Sequence, residues 1–330
     1  MRTEFVLAVT LAGCGFSTGG TANPAEDAQP IDASGDVAGD AMPDATTDAM
    51  VDAGPSSTCL DHWFDNTIRF TSPVQVANVN STSFERDPFL TADELTLYFS
   101  SARAGSMGGD TWVATRTAIT AAFGTPVRAT SFSTTGNETK ASITADGLYA
   151  VVGSDQAGGS GGVDIWETSR AATSASWSAL SRAHVMTVDT AASDHDPMVS
   201  ASGLHLYDAP DAPGMQHIAL ATRPNRTANF GAAATIAELD SGMGDGDPAI
   251  TADERIIVFY SNRTSAFTGG NLWYATRASA TVAFGAPRIV PDVNTNNNDG
   301  DPHLSPDGCR LYFGRDGGIA DWELFVATAQ

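Results

Sequence analysis

The chain has 330 residues, with 39 acidic against 17 basic side chains and a formal charge of −22. That balance, and the lack of any Lys/Arg cluster, exclude a phosphate-backbone partner, so no nucleic acid is expected. Only 17% of the residues are charged while Gly alone numbers 32, the profile of a sheet protein made of short strands and many turns. Length by itself leaves one large or two ordinary domains open.

Residues 1–13 read MRTEFVLAVTLAG. The apolar stretch Phe5–Gly13 falls far short of the ~20 residues that a membrane helix needs, and has the form of an export signal's apolar core. The closing Leu11-Ala12-Gly13-Cys14 resembles the lipobox of bacterial lipoproteins. The resemblance implies a signal peptide over 1–13, lipidation of Cys14 and attachment to the membrane through that anchor only. Gly15 after the cysteine is compatible, in that family, with sorting to the outer membrane, facing the periplasm or the surface. Glu4 departs from the family's positively charged start. Residues 14–58 then lack Lys and Arg, and Asp alternates with Ala, Pro, Gly and Thr. Such a stretch buries too little apolar area to offset its chain entropy, so a disordered acidic tether is expected, with calcium binding by its Asp residues the less economical reading.

From residue 59 onward the dominant signal is self-similarity. Asp87-Pro-Phe-Leu-Thr-Ala-Asp93 recurs in altered form from Lys140, Asp196, Asp247 and Asp301, at spacings of 53, 56, 51 and 54 residues. After each copy comes an apolar run, beginning at Leu95, Leu148, Leu204, Arg255 and Arg310. A Gly-rich loop usually follows, then a third run such as Thr111–Arg116, Asp164–Arg170 or Leu272–Arg277, and a fourth that begins at Phe123, Trp177, Phe230 or Phe284. These short runs rich in β-branched and aromatic residues, bounded by turn residues, read as strands. No helical periodicity of useful length is present. Four strands per unit repeated five times predicts an all-β propeller over 59–330, with a linear β-solenoid as the alternative.

The chain ends supply an argument about closure. The segment from Phe70 to Val76 matches the fourth-strand pattern but precedes the first complete unit, and the last unit stops after its third strand, Trp322–Thr328. Strand 70–76 is therefore expected to complete the last blade and hide two sheet edges. Cys59 lies just before that strand and Cys309 in the turn of the blade it completes. In an exported protein a Cys59–Cys309 disulfide would pin the closure; two unpaired, partly buried thiols are the other reading.

The Ser/Thr-Pro/Ala-Asp-Gly/Glu turn, the Leu-Tyr-Phe strand and the Gly-Gly-x-Asp-x-Trp motif together resemble WD-repeat-like propeller repeats of the TolB type, over residues 68–330. Blade 3 is the weakest match, without the Gly-Gly loop and the Trp. Such propellers commonly have six blades, against five counted here.

Aligning the repeats places an acidic residue two positions ahead of each first strand, at Glu85, Glu138, Asp194, Asp245 and Asp299. Two residues on stand Asp87, Lys140, Asp196, Asp247 and Asp301. In an extended segment residues i and i+2 point the same way, so these predict an acidic ring at one mouth of the central channel, interrupted by Lys140. The ring suits a metal ion, Ca²⁺ being possible, or a basic ligand; equally, its carboxylates serve to fix the turns between blades. Asn297-x-Asp299-x-Asp301 faintly resembles a calcium loop, with Pro302 where such a loop wants Gly. Trp112, Trp166, Trp273 and Trp322 share one repeat position and read as packing between blades. Arg103, Arg263 and Arg315 stand where they would pair with the acids or face solvent. Gly158-Gly-Ser160-Gly-Gly162 matches a hydrolase nucleophile elbow in letters only, since it sits in a loop rather than between strand and helix. The histidines show no zinc-ligand spacing.

No catalytic constellation emerges. The reading is a lipid-anchored envelope propeller that binds or scaffolds an envelope protein, peptide or glycan. A propeller-fold glycoside hydrolase is the alternative by fold analogy alone, and a purely structural envelope protein is the third.

Overall fold

Each fifty-residue unit folds into one antiparallel sheet because its apolar runs are too short to bury themselves singly and are separated by turn-forming residues. The computed structural model describes residues 58–330, except 107, 212–214 and 319–320. The expected signal peptide, the expected lipidation site Cys14 and most of the expected tether lie outside the described residues. Strands are numbered along the chain.

Blade 1 comprises β2 (Glu85–Leu90), β3 (Thr96–Ser101), β4 (Asp110–Thr115) and β5 (Val127–Arg128). Blade 2 has β6 (Glu138–Ile143), β7 (Tyr149–Ser154) and β8 (Asp164–Ser169), with a single Glu167–Ser181 bridge in place of a fourth strand. Blade 3 is β9 (Asp194–Val199), β10 (His205–Pro210), β11 (Ala219–Thr222) and β12 (Ala234–Thr235). Blade 4 is β13 (Asp245–Ile250), β14 (Ile256–Ser261), β15 (Asn271–Thr276) and β16 (Arg288–Ile289). Blade 5 joins β17 (Asp299–Leu304), β18 (Arg310–Asp316) and β19 (Trp322–Thr328) to β1 (Val74–Gln75) from the other end of the chain. The first strands touch in sequence, β2–β6–β9–β13–β17, and β17 returns to β2. The protein is a five-bladed β-propeller.

The expected closure is present, over fewer residues than expected. Val74 pairs with Val326 and Gln75 with Phe325, and Phe70 bridges Ala329. Ahead of β1 a single helical turn, α1 (Cys59–Phe64), is capped by Thr58 and Asp61. The helix docks by Trp63, which is fully buried, donates its indole N–H to Gly308 O at 3.0 Å and meets Phe70 and Tyr274 edge-on. Cys59 and Cys309 are disulfide-bonded with Cα atoms 5.2 Å apart, linking positions 250 residues apart.

The fourth strands begin later than the sequence suggests. Phe123, Phe230 and Phe284 are buried anchors outside the strands, and the ladders lie four residues further on. The amide after each Phe donates to the end of the third strand, as Gly124 N does to Thr115 O. The second strands are buried on both faces, β7 along its whole length. This explains their near-continuous apolar runs, since each blade covers the next.

A second difference reshapes the channel. The first strands start at the acidic residues themselves, and each is bulged. In blades 1, 4 and 5 the register slips between Arg86 and Phe89, Gly246 and Ala249, and Gly300 and His303. Asp87, Asp196, Asp247 and Asp301 take left-handed φ values of 52–57°, each just before a proline, which has no N–H to give to a ladder. The left-handed residue breaks the two-residue alternation, so in these four blades the two acidic positions do not share a face.

Candidate functional site

The ten aligned positions separate into two tiers. The outer tier is Glu85, Glu138, Asp194, Asp245 and Asp299, all at most 2% exposed. Each carboxylate accepts the backbone N–H of the Ser or Thr four residues earlier: Ser81 at 2.8 Å, Thr134 at 3.0 Å, Thr190 at 2.7 Å, Ser241 and Thr295 at 2.6 Å. In four blades a side chain of the second strand adds a donor, from Ser101, Ser154, Ser261 or Arg315. Arg103 and Arg263 each donate to their carboxylate at 2.8 Å and to the carbonyl of Val79 or Leu239. Arg315 does the same with Asp299 and Val293. These arginines pair with the acids and stack over Phe99, Phe259 and Phe313. The outer tier pins the loop that leads into each blade.

The inner tier is Asp87, Asp196, Asp247 and Asp301, with Lys140 at the fifth position. Arg86 grips Asp301 with two bonds of 2.9 and 3.0 Å and lies 4.2 Å over the ring of Trp322. Asp301 N donates to Asp247 at 2.9 Å, and Ser100 donates to Asp87 at 2.6 Å. Asp301 also interacts with Asp87, and Asp196 with Asp247. Lys140 is fully buried and reaches across the channel to the carbonyls of Pro248 and Pro302 at 3.0 and 3.3 Å. The residue that interrupts the acidic ring is thus a plug that ties blade 2 to blades 4 and 5.

Burial and the neighbouring Asp301 charge push the Asp87 carboxyl up to about 7. Asp196 is pushed up by burial and by Asp247 and Asp87, and Asp247 by burial and by Asp301. Burial pushes Asp301 upward, but the charge and hydrogen bonds of Arg86, with the Lys140 charge, together hold the carboxyl below its ordinary range. Beneath the ring, burial and the Lys140 charge depress His303 to about 3, so its imidazole is neutral at physiological pH. Above the ring opens a cavity of about 320 Å³, lined by Asp87, Asp196, Asp247, His195, Tyr260 and Trp322, among others. A second hollow of about 260 Å³ shares Arg86, Asp87 and Trp322 with it. The mouth therefore combines unneutralised carboxyls with aromatic walls.

The remaining sequence signals resolve as follows. Trp112 is buried in a core cluster, Trp166 and Trp273 are partly buried against another, and only Trp322 borders the mouth. Asp299 and Asp301 of the calcium-loop-like stretch are engaged by Arg315 and Arg86. In the glycine-rich loop Ser160 accepts from Arg182, and no strand-to-helix elbow exists there.

Two features had weaker signals. Arg86, one residue from the repeated acids, and Trp322 form one wall of the mouth. Trp322 does not share the position of Trp112, Trp166 and Trp273 as the repeat suggests, because Phe325 takes that register place and Trp322 pairs with Asp316. Asp208 is fully buried, and neither of its carboxylate oxygens has a partner among the described residues. Its repeat column reads Phe99, Val152, Asp208, Phe259 and Phe313, so a charge in an otherwise apolar column was the available sign.

No protein-family model matches the chain, and no curated protein matches it. Among solved structures it is similar to a glycoside hydrolase, with a TM-score of 0.54 and 11% identity over 79% of this chain and 91% of that one. It is also similar to the alpha-L-arabinofuranosidase from Podospora anserina in complex with cellotriose, at a TM-score of 0.50 and 12% identity over 80% and 96% of the two chains. TolB from Acinetobacter baumannii is matched at a TM-score of 0.43 and 13% identity over 80% of this chain, which spans 55% of that TolB chain. At these identities the likeness is one of fold alone.

Proposed function

We propose that the chain is a non-catalytic binding module of the bacterial cell envelope, anchored through lipid on Cys14, whose channel mouth grips a basic side chain of a protein or peptide partner. The carrying observation is the inner tier. Asp87, Asp196 and Asp247 line a cavity of about 320 Å³, and the Arg86 fork is spent on Asp301. An ammonium or guanidinium group entering there takes over from shared protons, and Tyr260 and Trp322 pack along its aliphatic stem.

The glycoside-hydrolase reading is favoured by one observation, a raised Asp87 beside a lowered Asp301, the kind of split that assigns acid and base. Against it, both oxygens of Asp301 are held by the Arg86 fork, which leaves that carboxylate engaged rather than free to act on a sugar.

The test is calorimetric titration of the full-length protein with an oligolysine peptide, wild type against Asp196→Asn/Asp247→Asn. The expected result is an affinity at least about tenfold weaker in the variant, and wild-type affinity that rises with pH up to about 7 as Asp87 gives up its proton. Equal affinity in both proteins ends the proposal. Turnover of aryl glycosides that Asp87→Asn abolishes would install the hydrolase reading instead.

A further inference from the structure

Away from the channel, blade 3 departs from its sisters where the outer tier should be completed. In blades 1 and 4 the outer carboxylate is met by a serine hydroxyl and an arginine, and the neighbouring core position is Phe. Blade 3 has Pro210 at the serine's place and Asp208 at the phenylalanine's, and the aligned sequence offers no arginine there. Asp194 Oδ1 and both oxygens of Asp208 are buried with no partner among the described residues. Pro210 is the register partner of Asp194, and Asp208, two residues earlier in β10, projects to the same face of the blade as Pro210. The charges that act on its carboxyl are those of Asp194 and Asp189.

Asp164, at the start of β8, and Asp189, in the loop between blades 2 and 3, complete the group. One oxygen each from Asp164, Asp189 and Asp194 lie within 4.8 Å of one another. Two oxygens bound to one calcium at ~2.4 Å are separated by at most about 4.8 Å. Arg182 is the guanidinium that neutralises the group, at 3.0 Å from Asp189 and 3.2 Å from Asp164. Its contacts leave Asp194 Oδ1 and Asp208 untouched. One positive charge therefore faces four buried carboxylates, an arrangement that is costly unless a cation or protons enter it.

We infer that a calcium ion is held between blades 2 and 3, ligated by Asp194 Oδ1 and the Asp208 carboxylate and flanked by Asp164 and Asp189. The donors are all hard oxygens, as calcium prefers. Where blades 1 and 4 supply an arginine, blade 3 supplies an anion and takes its cation from solution. This site is separate from the channel mouth and does not depend on what the mouth binds.

The test is thermal unfolding of the full-length protein in EDTA and in calcium, because an ion that binds only the folded state raises Tm. The expected rise for wild type is roughly 5 °C at a calcium concentration a hundred times Kd. Asp208→Asn, which keeps the shape, and Asp208→Phe, which restores the sister-blade residue, are expected to melt higher than wild type in EDTA and to ignore calcium. Asp247→Asn, in the channel, is expected to keep the full response. Absence of a wild-type shift overturns the inference, as does a shift that survives in Asp208→Asn or is lost in Asp247→Asn. Should Asp208→Phe fail to fold, Asp208→Asn alone decides.

Discussion

Blades 5 and 3 make an instructive pair. Blade 5 is assembled from the two ends of the chain, yet it is the most heavily tied. It holds the disulfide, the docked Trp63, the Arg315–Asp299 pair, and two bridges to blade 1, Arg86–Asp301 and Arg310–Glu94. Blade 3 is one continuous stretch, yet it has lost the serine, the arginine and the tryptophan of the repeat and buries an unpaired Asp208. Where covalent continuity is missing, cross-links hold the sheet together. Where continuity holds the strands together anyway, a blade tolerates a costly group.

Breaking the ties of blade 5 is expected to have the largest effect. Cys59→Ser opens a loop of 250 residues, and the chain-entropy argument puts the loss at about 5 kcal/mol, readable as a lower urea midpoint that wild type reproduces under reducing conditions. Next is the outer-tier contrast. Asp299→Ala strands Arg315 in a largely buried place and should cost about 3 kcal/mol. Asp194→Ala, measured in EDTA, should cost far less or stabilise, because it relieves repulsion among Asp164, Asp189 and Asp208. Equal losses by denaturant titration would erase the distinction between the blades.

The pH dependence sharpens the same contrast. Burial, with Asp189 adding to it, raises Asp194 to about 6, and Asp87 in the channel stands at about 7. A carboxyl raised on folding keeps its proton longer in the native state, so stability is highest below about 4 and declines as pH rises toward these values. In EDTA, the urea midpoint of wild type should fall between about pH 4 and 7. Asp194→Asn should flatten the portion up to about 6 and leave the Asp87 portion. A profile unchanged by the substitution would show that Asp194 ionises as an ordinary surface carboxylate does.

The smallest contrast concerns two glycines at equivalent turns, with φ of 71° at Gly308 and 76° at Gly203. Either Ala substitution pays roughly 1 kcal/mol for a left-handed conformation. In blade 5 the new Cβ would meet Leu60 of α1 at 2.6 Å and the Nε1 of buried Trp63 at 3.3 Å. In blade 3 it would meet Arg226 Nε at 2.7 Å, part of a long, partly exposed side chain that can swing away, so Gly308→Ala should lower Tm more than Gly203→Ala. At the same turn position blades 1 and 4 carry Glu94 and Glu254 instead. There the carboxylates are held by Arg310, and by His205 and Tyr207, which offsets the strain.

The period, the blade number and the closing strand were legible because each rests on a pattern repeated five times or on a unit visibly incomplete at both ends. The location of the acids was legible; their division into two tiers was not. Alternation assumes ordinary strand geometry, and the left-handed Asp before Pro88, Pro197, Pro248 and Pro302 breaks it. Blade 2's missing fourth strand was hidden for a related reason. Trp177 satisfied the pattern at the start of the run, while Ser181 alone made a bridge. Lys140 looked like a gap in the ring because sequence gives no hint that its stem is long enough to cross the channel. Asp208 was readable as the odd letter in an apolar column.

The disulfide also determines how the molecule carries tension. A pull applied at residue 58 against a partner seated in the mouth does not peel β1, whose ladder is only two residues long. Force passes from Cys59 through the sulfur bridge to Cys309 and on into β18, which is paired along its whole length to β19. The weakest-looking seam of the ring is thereby taken out of the load path, and a tug on the chain is met by a full-length strand pulled in shear.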